Sequence, residues 1–387
     1  PFFHISRDCT IKKLIIMSLV LTRIQNIRAN SNLDKFEYRP SRYGALNAFM
    51  VQSEDPTGIL TDELKEKARM SIGNTLETPV IDYDADITIG NQRTLTIADS
   101  ENTSRMVEIT FATYSWGFTI APAMYMNNEI KIQKDFETKM MKYIYKLAQK
   151  LDEAALTKLG ASKTKVIKNP LLYDKTGNTI NAKWAERENV FGDLEVIMAA
   201  NDFYGQLHIV GDAGVESIMR KLQQHGLYND VNKQNEFSGK IVHLTNNLAA
   251  VENKYAQGYA INAGALGMLT RFERDCLLGT VSGDGHEWGI STLPLLNMPV
   301  GTYYYDSVGD FSAIGGAATT DMTRTRKEHY GFAVDVAFLT AYNSNADTLA
   351  SPILGFNISS EDAAYGKTIV VANSEKSPIF IKDVAGA

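Results

Sequence analysis

Histidine suits acid–base chemistry near neutral pH, and this chain contains six of them. Only His286 stands in an enzyme-like setting, within the run Gly283-Asp284-Gly285-His286-Glu287-Trp288-Gly289. No serine or cysteine occupies a recognisable nucleophile elbow, and no two histidines have metalloprotease spacing. We therefore interpret the run as a turn anchored by Trp288, and the other histidines as core or interface residues. The sequence predicts no catalytic centre.

Three aspartates alternate along the chain at Asp82, Asp84 and Asp86, so they would line one face of a strand. Such a face could attract calcium, but an EF-hand loop needs glycine at its sixth position and glutamate at its twelfth. Those positions hold Ile87 and Arg93. A solvated face, or one that forms salt bridges with a neighbouring subunit, is the simpler interpretation. No phosphate-loop pattern occurs either, so we predict no metal and no cofactor.

The overall charge also argues against a protein that reads nucleic acid. The formal net charge is -6 and the isoelectric point is about 5.6, whereas phosphate-gripping domains carry a basic face. One small basic cluster precedes the last long strand, at Arg324, Arg326 and Lys327. We interpret it as a solvated or inter-subunit patch, and a contact with nucleic acid is the alternative.

The size and composition indicate a globular protein with two or three lobes. The 387 residues exceed one ordinary core, and 44% hydrophobic with 22% charged residues is typical of folded chains.

Cys9 and Cys276 have no CxxC partners, so a disulfide framework or zinc site is unsupported and a reducing compartment is expected. The apolar run 14–21 is short for a signal peptide; alternatively, Met17 is the natural start and residues 1–16 are a non-native extension.

The elements that must position these residues begin with an extended arm over residues 17–58. Thr61 is a predicted N-cap for a short helix that reaches Met70. A hairpin with polar residues on both faces is expected over 80–105. The apolar alternation that follows changes phase, which predicts a bulge or a strong twist near Thr113.

The strongest periodic signal is a single long helix over 129–159. Apolar residues recur there at spacings of three and four: Ile132, Phe136, Met140, Ile144, Leu147, Leu151 and Ala154. Asn127 or Asn128 would cap it, and Gly160 would stop it. Its length of roughly 45 Å would make it a spine for neighbouring sheets.

A second unit with α/β character follows a lysine- and asparagine-rich stretch, 160–187, that we interpret as turns. The patterns predict helices at 191–200 and 215–224 and strands at 207–210, 240–244 and 258–262. We place the end of this lobe near residue 300, where prolines interrupt the pattern. A long strand over 328–342 carries large residues on one face and small residues on the other, so another layer could approach closely.

This order of elements resembles that of the major capsid proteins of tailed bacteriophages, the Hong Kong 97-like fold of the α+β class. Two stretches carry the resemblance most closely: Phe203-Tyr204-Gly205-Gln206-Leu207-His208-Ile209-Val210-Gly211-Asp212, and Ala265-Leu266-Gly267-Met268-Leu269-Thr270-Arg271-Phe272. They are similar to the central strand of the axial (A) domain and to its exit toward the peripheral (P) domain. The resemblance covers residues 20–345.

The resemblance implies a division of the chain. It gives an N-terminal arm and short helix at 1–78, an E-loop hairpin at 79–106, and a P domain with the spine helix at 107–187. The A domain would follow at 188–300, a return to the P domain at 301–345, and a C-terminal segment at 346–387.

The resemblance also implies a function and partners. The chain would be a non-enzymatic shell subunit that assembles into pentamers and hexamers of an icosahedral virion capsid around double-stranded DNA, within the host cytoplasm. Portal, scaffolding and decoration proteins are further expected partners, and a membrane is not. Inter-subunit contacts would come from the arm and the hairpin, through Leu33, Phe36, Tyr38, Asp84, Asp86, Asn91 and Arg93. Two alternatives stay open: an encapsulin-like shell that holds cargo enzymes, and an α/β hydrolase-type enzyme.

Overall fold

The protein is a mixed α and β structure. The computed structural model describes residues 23–24, 26–27, 43–56, 58–71, 75–81, 104–126, 128–171, 173–226, 240–249, 251, 253–271, 286–310, 324–341 and 350–360. The chain divides into two compact units. The first comprises Pro1–Ile24, Thr61–Lys134 and Leu269–Ala337. The second comprises Gln25–Leu60, Asp135–Met268 and Phe338–Ala387.

The described residues contain five α-helices and thirteen strands. The helices are α1 (Gly44–Ser53), α2 (Asp62–Met70), α3 (Glu129–Ala161), α4 (Val190–Ala200) and α5 (Ala213–Gly226). The strands are β1 (Thr75–Ile81), β2 (Ser104–Thr110), β3 (Ala112–Ile120), β4 (Asp174–Thr176), β5 (Thr179–Ala182), β6 (Leu207–Gly211), β7 (Ile241–Leu244), β8 (Lys254–Asn262), β9 (Leu266–Arg271), β10 (His286–Thr292), β11 (Pro299–Asp310), β12 (Arg324–Thr340) and β13 (Ile353–Ser359).

The first unit opens with α2, and the predicted cap is confirmed. The Thr61 hydroxyl accepts the Leu64 amide at 3.3 Å, and the acidic side chains of Asp62 and Glu63 lie in the first turn. Carboxylates there face the positive end of the helix dipole, which stabilises a helix too short to persist alone.

The base of the predicted hairpin is a two-stranded antiparallel ribbon of β1 and β2. Its register runs from Thr75 opposite Thr110 to Ile81 opposite Ser104. The ladder therefore begins before the predicted start at residue 79. Residues 82–103, which hold the rest of the hairpin, lie outside the described residues. Within the described part of the chain, the ribbon joins no other sheet.

The predicted bulge near Thr113 is wrong, because the change of phase is a change of sheet. β2 ends at Thr110, and β3 begins at Ala112 in a different sheet. Phe111 lies between them and is only 3% exposed. Because Phe111 is buried between the two strands, the alternate residues that face a core differ in parity before and after it. In the sequence this change looks like the extra residue of a bulge.

A five-stranded sheet in the order β10-β11-β12-β3, with β9 also paired to β12, follows in the chain. The predicted long strand is confirmed as β12. Its large residues Tyr330, Phe332, Val334 and Val336 are all buried.

The run 283–289, predicted to be a turn, instead leads into β10, where Trp288 is 43% exposed. Trp288 and Ile290 share one face of this strand, but the glycines at 283, 285 and 289 favoured a turn in the sequence.

Helix α3 confirms the predicted spine over 33 residues, about 50 Å in length. The six large apolar residues of its stripe are at most 6% exposed: Ile132, Phe136, Met140, Ile144, Leu147 and Leu151. Each such burial contributes about 1.5–3 kcal/mol. The Asn128 side chain caps the first turn by accepting the Lys131 amide at 3.2 Å. The helix passes the predicted stop at Gly160 and ends at Ala161.

The second unit is built around a six-stranded mixed sheet in the order β4-β5-β13-β8-β6-β7. The predicted strands and helices of this unit are confirmed as β6, β7, β8, α4 and α5. Helix α5 forms the crossover between the parallel pair β6 and β7, which is the usual connection for parallel strands. Apolar residues of α4, α5 and the sheet pack into one core, among them Phe191, Leu194, Ile209, Val215 and Phe356.

The six-stranded sheet also contains two segments that the sequence patterns did not assign to it. Residues 160–187, interpreted as turns, contain the β4–β5 hairpin. The predicted C-terminal segment contains β13, which pairs between β5 and β8. By contrast, β10 and part of β11 fall in the range 188–300 predicted for the A domain but join the five-stranded sheet.

The predicted arm is corrected over residues 43–56, which are folded and not extended. Helix α1 buries Ala45, Ala48 and Phe49 completely, in a core cluster of the second unit that also holds Leu159 and Ile261. The helical spacing of these apolar residues spans only two turns, so no sustained period marks it in the sequence.

None of the helices within the described residues is long and apolar enough to cross a bilayer.

Candidate assembly surfaces

The residues predicted to contact neighbouring subunits all lie outside the described residues. These are Leu33, Phe36, Tyr38, Asp84, Asp86, Asn91 and Arg93. The side chains of His286 and Glu287 lie outside them as well, although their backbone forms the start of β10. No group of three or more metal-ligating side chains occurs in the part of the chain that is described.

Helix α1 is attached to its unit by a buried carboxylate from α3. Asp152 is fully buried, and its Oδ1 atom accepts the Leu46 amide at 2.9 Å. Its Oδ2 atom accepts the Thr245 hydroxyl at 2.6 Å and the Asn247 amide at 2.8 Å. Tyr43, the N-cap residue of α1, makes no side-chain cap bond. Asp152, which belongs to α3, instead accepts a backbone amide of the first turn of α1.

Burial raises the pKa of Asp152, while the hydrogen bonds from Thr245, Leu46 and Asn247 act in the opposite direction. The buried carboxyl group is tolerated because each of its oxygens has a hydrogen-bond donor. The start of α1 also lies close to the end of β7, and a side chain at position 44 would meet the Leu244 backbone at 2.5 Å, so Gly44 permits this close packing.

A buried histidine pair lies in the same unit, between β6, β7 and α1. His208 Nδ1 and His243 Nε2 are 3.1 Å apart, and the rings stack 5.4 Å apart at 10°. His243 Nδ1 also lies 3.3 Å from the Asn47 side-chain nitrogen. Burial and, to a smaller extent, the neighbouring His208 together lower the pKa of His243 to about 4. Burial also lowers the pKa of His208, against the opposing effect of Asp55.

Arg23 anchors the chain near its beginning to the first unit. Its guanidinium bonds Glu129 at 2.7 Å and Glu328 at 3.3 Å, and it also donates to the Tyr330 hydroxyl. Tyr330 donates in turn to Glu328 at 2.7 Å. The Arg23 side chain is only 4% exposed, so this is a buried network in which each charge has a counter-charge.

Arg326, from the basic cluster at the start of β12, is engaged with acidic residues. Arg326 bonds Asp306 at 2.7 Å and lies 3.7 Å from Glu328. Tyr304 donates to the other Asp306 oxygen at 2.6 Å. A guanidinium paired in this way contributes less to a phosphate-binding surface than a free one.

A cleft of about 250 Å³ opens on the five-stranded sheet; we call it the sheet cleft. Its lining includes the small residues Ser115, Gly301, Gly331 and Ala333. It also includes Trp288 and Tyr303, whose ring centroids are 4.6 Å apart. Arg271 and Asp335 contribute a pair at 3.5 Å, and Thr113 donates to Asp335 at 2.6 Å. The small face that the β12 pattern predicted is therefore a depression beside two aromatic rings.

A second, larger cleft of about 540 Å³ lies in the second unit and is more polar in its lining. Lys163 donates there to the Thr179 hydroxyl at 3.1 Å, and burial lowers the pKa of this lysine. A side chain at Gly355 would meet Lys163 at 2.8 Å, so glycine keeps this part of the cleft open.

Exposed apolar side chains cluster where β3 leads into α3. Met124 is 49% exposed, Met126 is 92% exposed and Ile130 is 82% exposed. Met126 has a left-handed backbone, with φ of 53°. We call these three residues the methionine knob. Clustered exposed apolar residues of this size are typical of surfaces that another molecule covers.

Comparison with known proteins gives matches among solved structures. No family model and no curated protein sequence matches this chain. The cyanophage Pam1 capsid matches 76% of this chain and 87% of its own, at 10% identity and a TM-score of 0.42. The Ralstonia phage GP4 capsid matches 76% and 85%, at 10% identity and 0.39. The Myoviridae phage XM1 capsid matches 81% and 91%, at 11% identity and 0.36.

These structural neighbours are phage capsids.

Sequence reasoning missed three of the features above. Arg23, Asp152 and the pair of His208 with His243 were not selected as structural centres. Asp152 left a usable signal, because it is a carboxylate directly beside the apolar stripe of the long helix. The histidine pair left only the placement of both residues in strands, and partners 35 residues apart cannot be matched without the sheet register.

Proposed function

We propose that this chain is the major capsid protein of a tailed bacteriophage, a structural subunit that self-assembles into the pentamers and hexamers of an icosahedral shell around double-stranded DNA. The observation that carries the proposal is the β1–β2 ribbon. A two-stranded sheet is at best marginally stable in water, and this one joins no other sheet within the described residues. Such an element is expected to gain its stability from a neighbouring subunit.

The architecture supports a specific assignment of elements. The ribbon with residues 82–103 would be the E-loop, α3 the spine helix, and β3 with β12 the core of the P domain. The six-stranded sheet with α4 and α5 would be the A domain. In this assignment β13, from the C-terminal segment, belongs to the A-domain sheet. The predicted arm contacts then reduce to the residues before Tyr43, since α1 is packed within its own unit.

The charge distribution suggests how DNA would be contained. The chain is acidic overall, and Arg326 is paired with Asp306 and Glu328. Packaged DNA would therefore be enclosed without a tight phosphate contact at Arg326, as suits a container wall.

The test is electron microscopy and sedimentation of the purified chain, followed by nuclease treatment of any particles. The proposal predicts closed shells, and DNA that resists nuclease when the particles come from infected cells. Shells that hold protein cargo and no DNA would favour the encapsulin-like alternative. A monomer under all assembly conditions would contradict a shell role of either kind.

A further inference from the structure

The methionine knob is exposed, at 49% for Met124, 92% for Met126 and 82% for Ile130. It follows β3 directly, in a short 3₁₀ turn at Pro122–Tyr125 and the first turn of α3. None of its three residues lines the sheet cleft of the same chain. Ser115, which does line that cleft, lies about 17 Å before the end of β3 along the extended strand, whereas the knob follows that end.

The sheet cleft has the chemistry that suits such a knob. Its lining combines small residues, which leave room, with the aromatic rings of Trp288 and Tyr303. Methionine is unbranched and polarisable, and its sulfur makes favourable contacts with the edges of aromatic rings. Trp288 keeps 43% of its surface exposed in the isolated chain, so further burial against a partner is available there.

We propose that the methionine knob of one copy inserts into the sheet cleft of a neighbouring copy. The two surfaces differ, so the contact is head-to-tail and not symmetric. Contacts of this type close into rings or extend into larger assemblies, because each copy still offers one free knob or one free cleft. The inference rests on the proposed shell function and deepens it by naming two surfaces that meet.

Cross-linking tests the pairing directly. In a background with Cys9→Ser and Cys276→Ser, one chain carries Met126→Cys and a second carries Ser115→Cys. The two are mixed before assembly and treated with a short bismaleimide, and the linked peptides are identified by mass spectrometry. The expected product is a dimer joined through positions 126 and 115, and a chain that carries both substitutions should give a ladder of longer multimers.

Assembly of single variants provides the second measurement. Met126→Glu places a charge in the contact, and Ser115→Trp fills the cleft, so each should raise the concentration needed for assembly roughly tenfold or more. Met70→Glu is the matched control, since Met70 is 71% exposed in the same unit but is outside the knob. It should assemble like the unsubstituted chain. Circular dichroism spectra should be the same for all of them.

The outcomes separate this inference from the function on which it rests. Particles in which position 126 links to another position 126, or stays open to a maleimide label, would overturn the knob-and-cleft pairing and leave the shell function intact. An unsubstituted chain that forms no particles would overturn both.

Discussion

Asp152 shows how one side chain can hold an element that lacks local support. Helix α1 has no capping side chain of its own, and its first turn would leave amide groups buried without acceptors. Asp152 accepts one of them and two further side-chain donors, so its carboxylate joins α1, α3 and the end of β7 within one unit. Removal of this carboxyl group would leave the buried donors without acceptors.

We predict that Asp152→Ala lowers the free energy of unfolding of the second unit by about 3 kcal/mol, because buried donors without acceptors cost more than the bonds themselves contribute. Glu153→Ala is the control. Glu153 is the next residue and its salt bridge with Lys150 is partly exposed, so the loss there should be under about 1 kcal/mol. Chemical denaturation with tryptophan fluorescence measures both, and equal losses would contradict a special role for Asp152.

The histidine pair should make stability depend on pH. Because folding lowers the pKa of His243 from about 6.5 to about 4, the unfolded chain binds more protons between these values. The stabilisation is fully present above pH 6.5 and is lost as the pH falls toward 4. At pH 5 the loss from His243 is on the order of 2 kcal/mol.

The measurement compares the unfolding midpoint at pH 7.5 and pH 5.0 in the unsubstituted chain and in His243→Gln. The variant should lose less stability on acidification, since glutamine cannot gain a proton. Carboxylates titrate in the same range in both proteins, so the difference between the two is the informative quantity. An equal loss in both would show that the pair does not respond to acid.

At the scale of elements, α3 is buried along one face and exposed on the other. The six apolar residues of its stripe are buried, whereas Ile130 in its first turn is 82% exposed. Two isoleucines in the same helix therefore have opposite environments, and the spacing of the residues decides which is which.

We predict that Ile144→Ala lowers the free energy of unfolding by about 2–5 kcal/mol, because Ile144 is fully buried and its loss leaves a cavity. Ile130→Ala is a matched control of the same residue type in the same helix, and it should change stability by less than about 0.5 kcal/mol. Thermal unfolding of both variants checks this. Similar losses would mean that Ile130 is also covered in the protein as purified.

The position of α1 changes the expected effect of removing the arm. Deletion of residues 1–58 would remove Ala45, Ala48 and Phe49 from a core and leave Asp152 without its amide partner. We expect that chain to be insoluble. Replacement of Leu33, Phe36 and Tyr38 by serine keeps both α1 and the buried Arg23, so the body should stay soluble but should no longer form closed shells.

Sedimentation and electron microscopy of these two variants under the same conditions measure this difference. Closed shells of normal size from the triple-serine variant would show that these three arm residues are dispensable. A soluble, folded chain that lacks residues 1–58 would contradict the structural role given to α1.

At the scale of the whole molecule, the surfaces proposed to meet neighbours are those that bury little within one chain. The β1–β2 ribbon belongs to no larger sheet among the described residues, and the methionine knob is exposed. Both are poor features for a monomer, because exposed apolar residues and isolated ladders gain free energy only when another surface covers them.

We predict that replacement of residues 82–103 by a two-residue Asn-Gly turn leaves both units folded but abolishes assembly. Ile81 pairs with Ser104, so a tight turn can close the shortened ribbon. Circular dichroism and thermal unfolding should match those of the unsubstituted chain, whereas sedimentation should show only small species. Normal particles from this variant would remove the support that the ribbon gives to the shell function.

Periodic patterns in the sequence were sufficient for the elements with sustained hydrophobic faces. The long stripe of α3, the alternation of β12 and the helix pattern of α5 each bury one face, and burial is what their spacing records. The mixture of helices and strands and the order of these elements followed from such patterns. The prediction of no catalytic centre is not tested by the structure, and the predicted arm and hairpin contacts stay predictions as well.

Tertiary structure alone decided the features that depend on partners distant in sequence. The place of β13 between β5 and β8, the trans cap of α1 by Asp152 and the histidine pair all join residues that no local pattern connects. The same holds for the switch of sheets at Phe111, which looks like a bulge in the sequence. A sequence period reports whether a side chain is buried, but which neighbour buries it is set by the register of strands and the packing of helices.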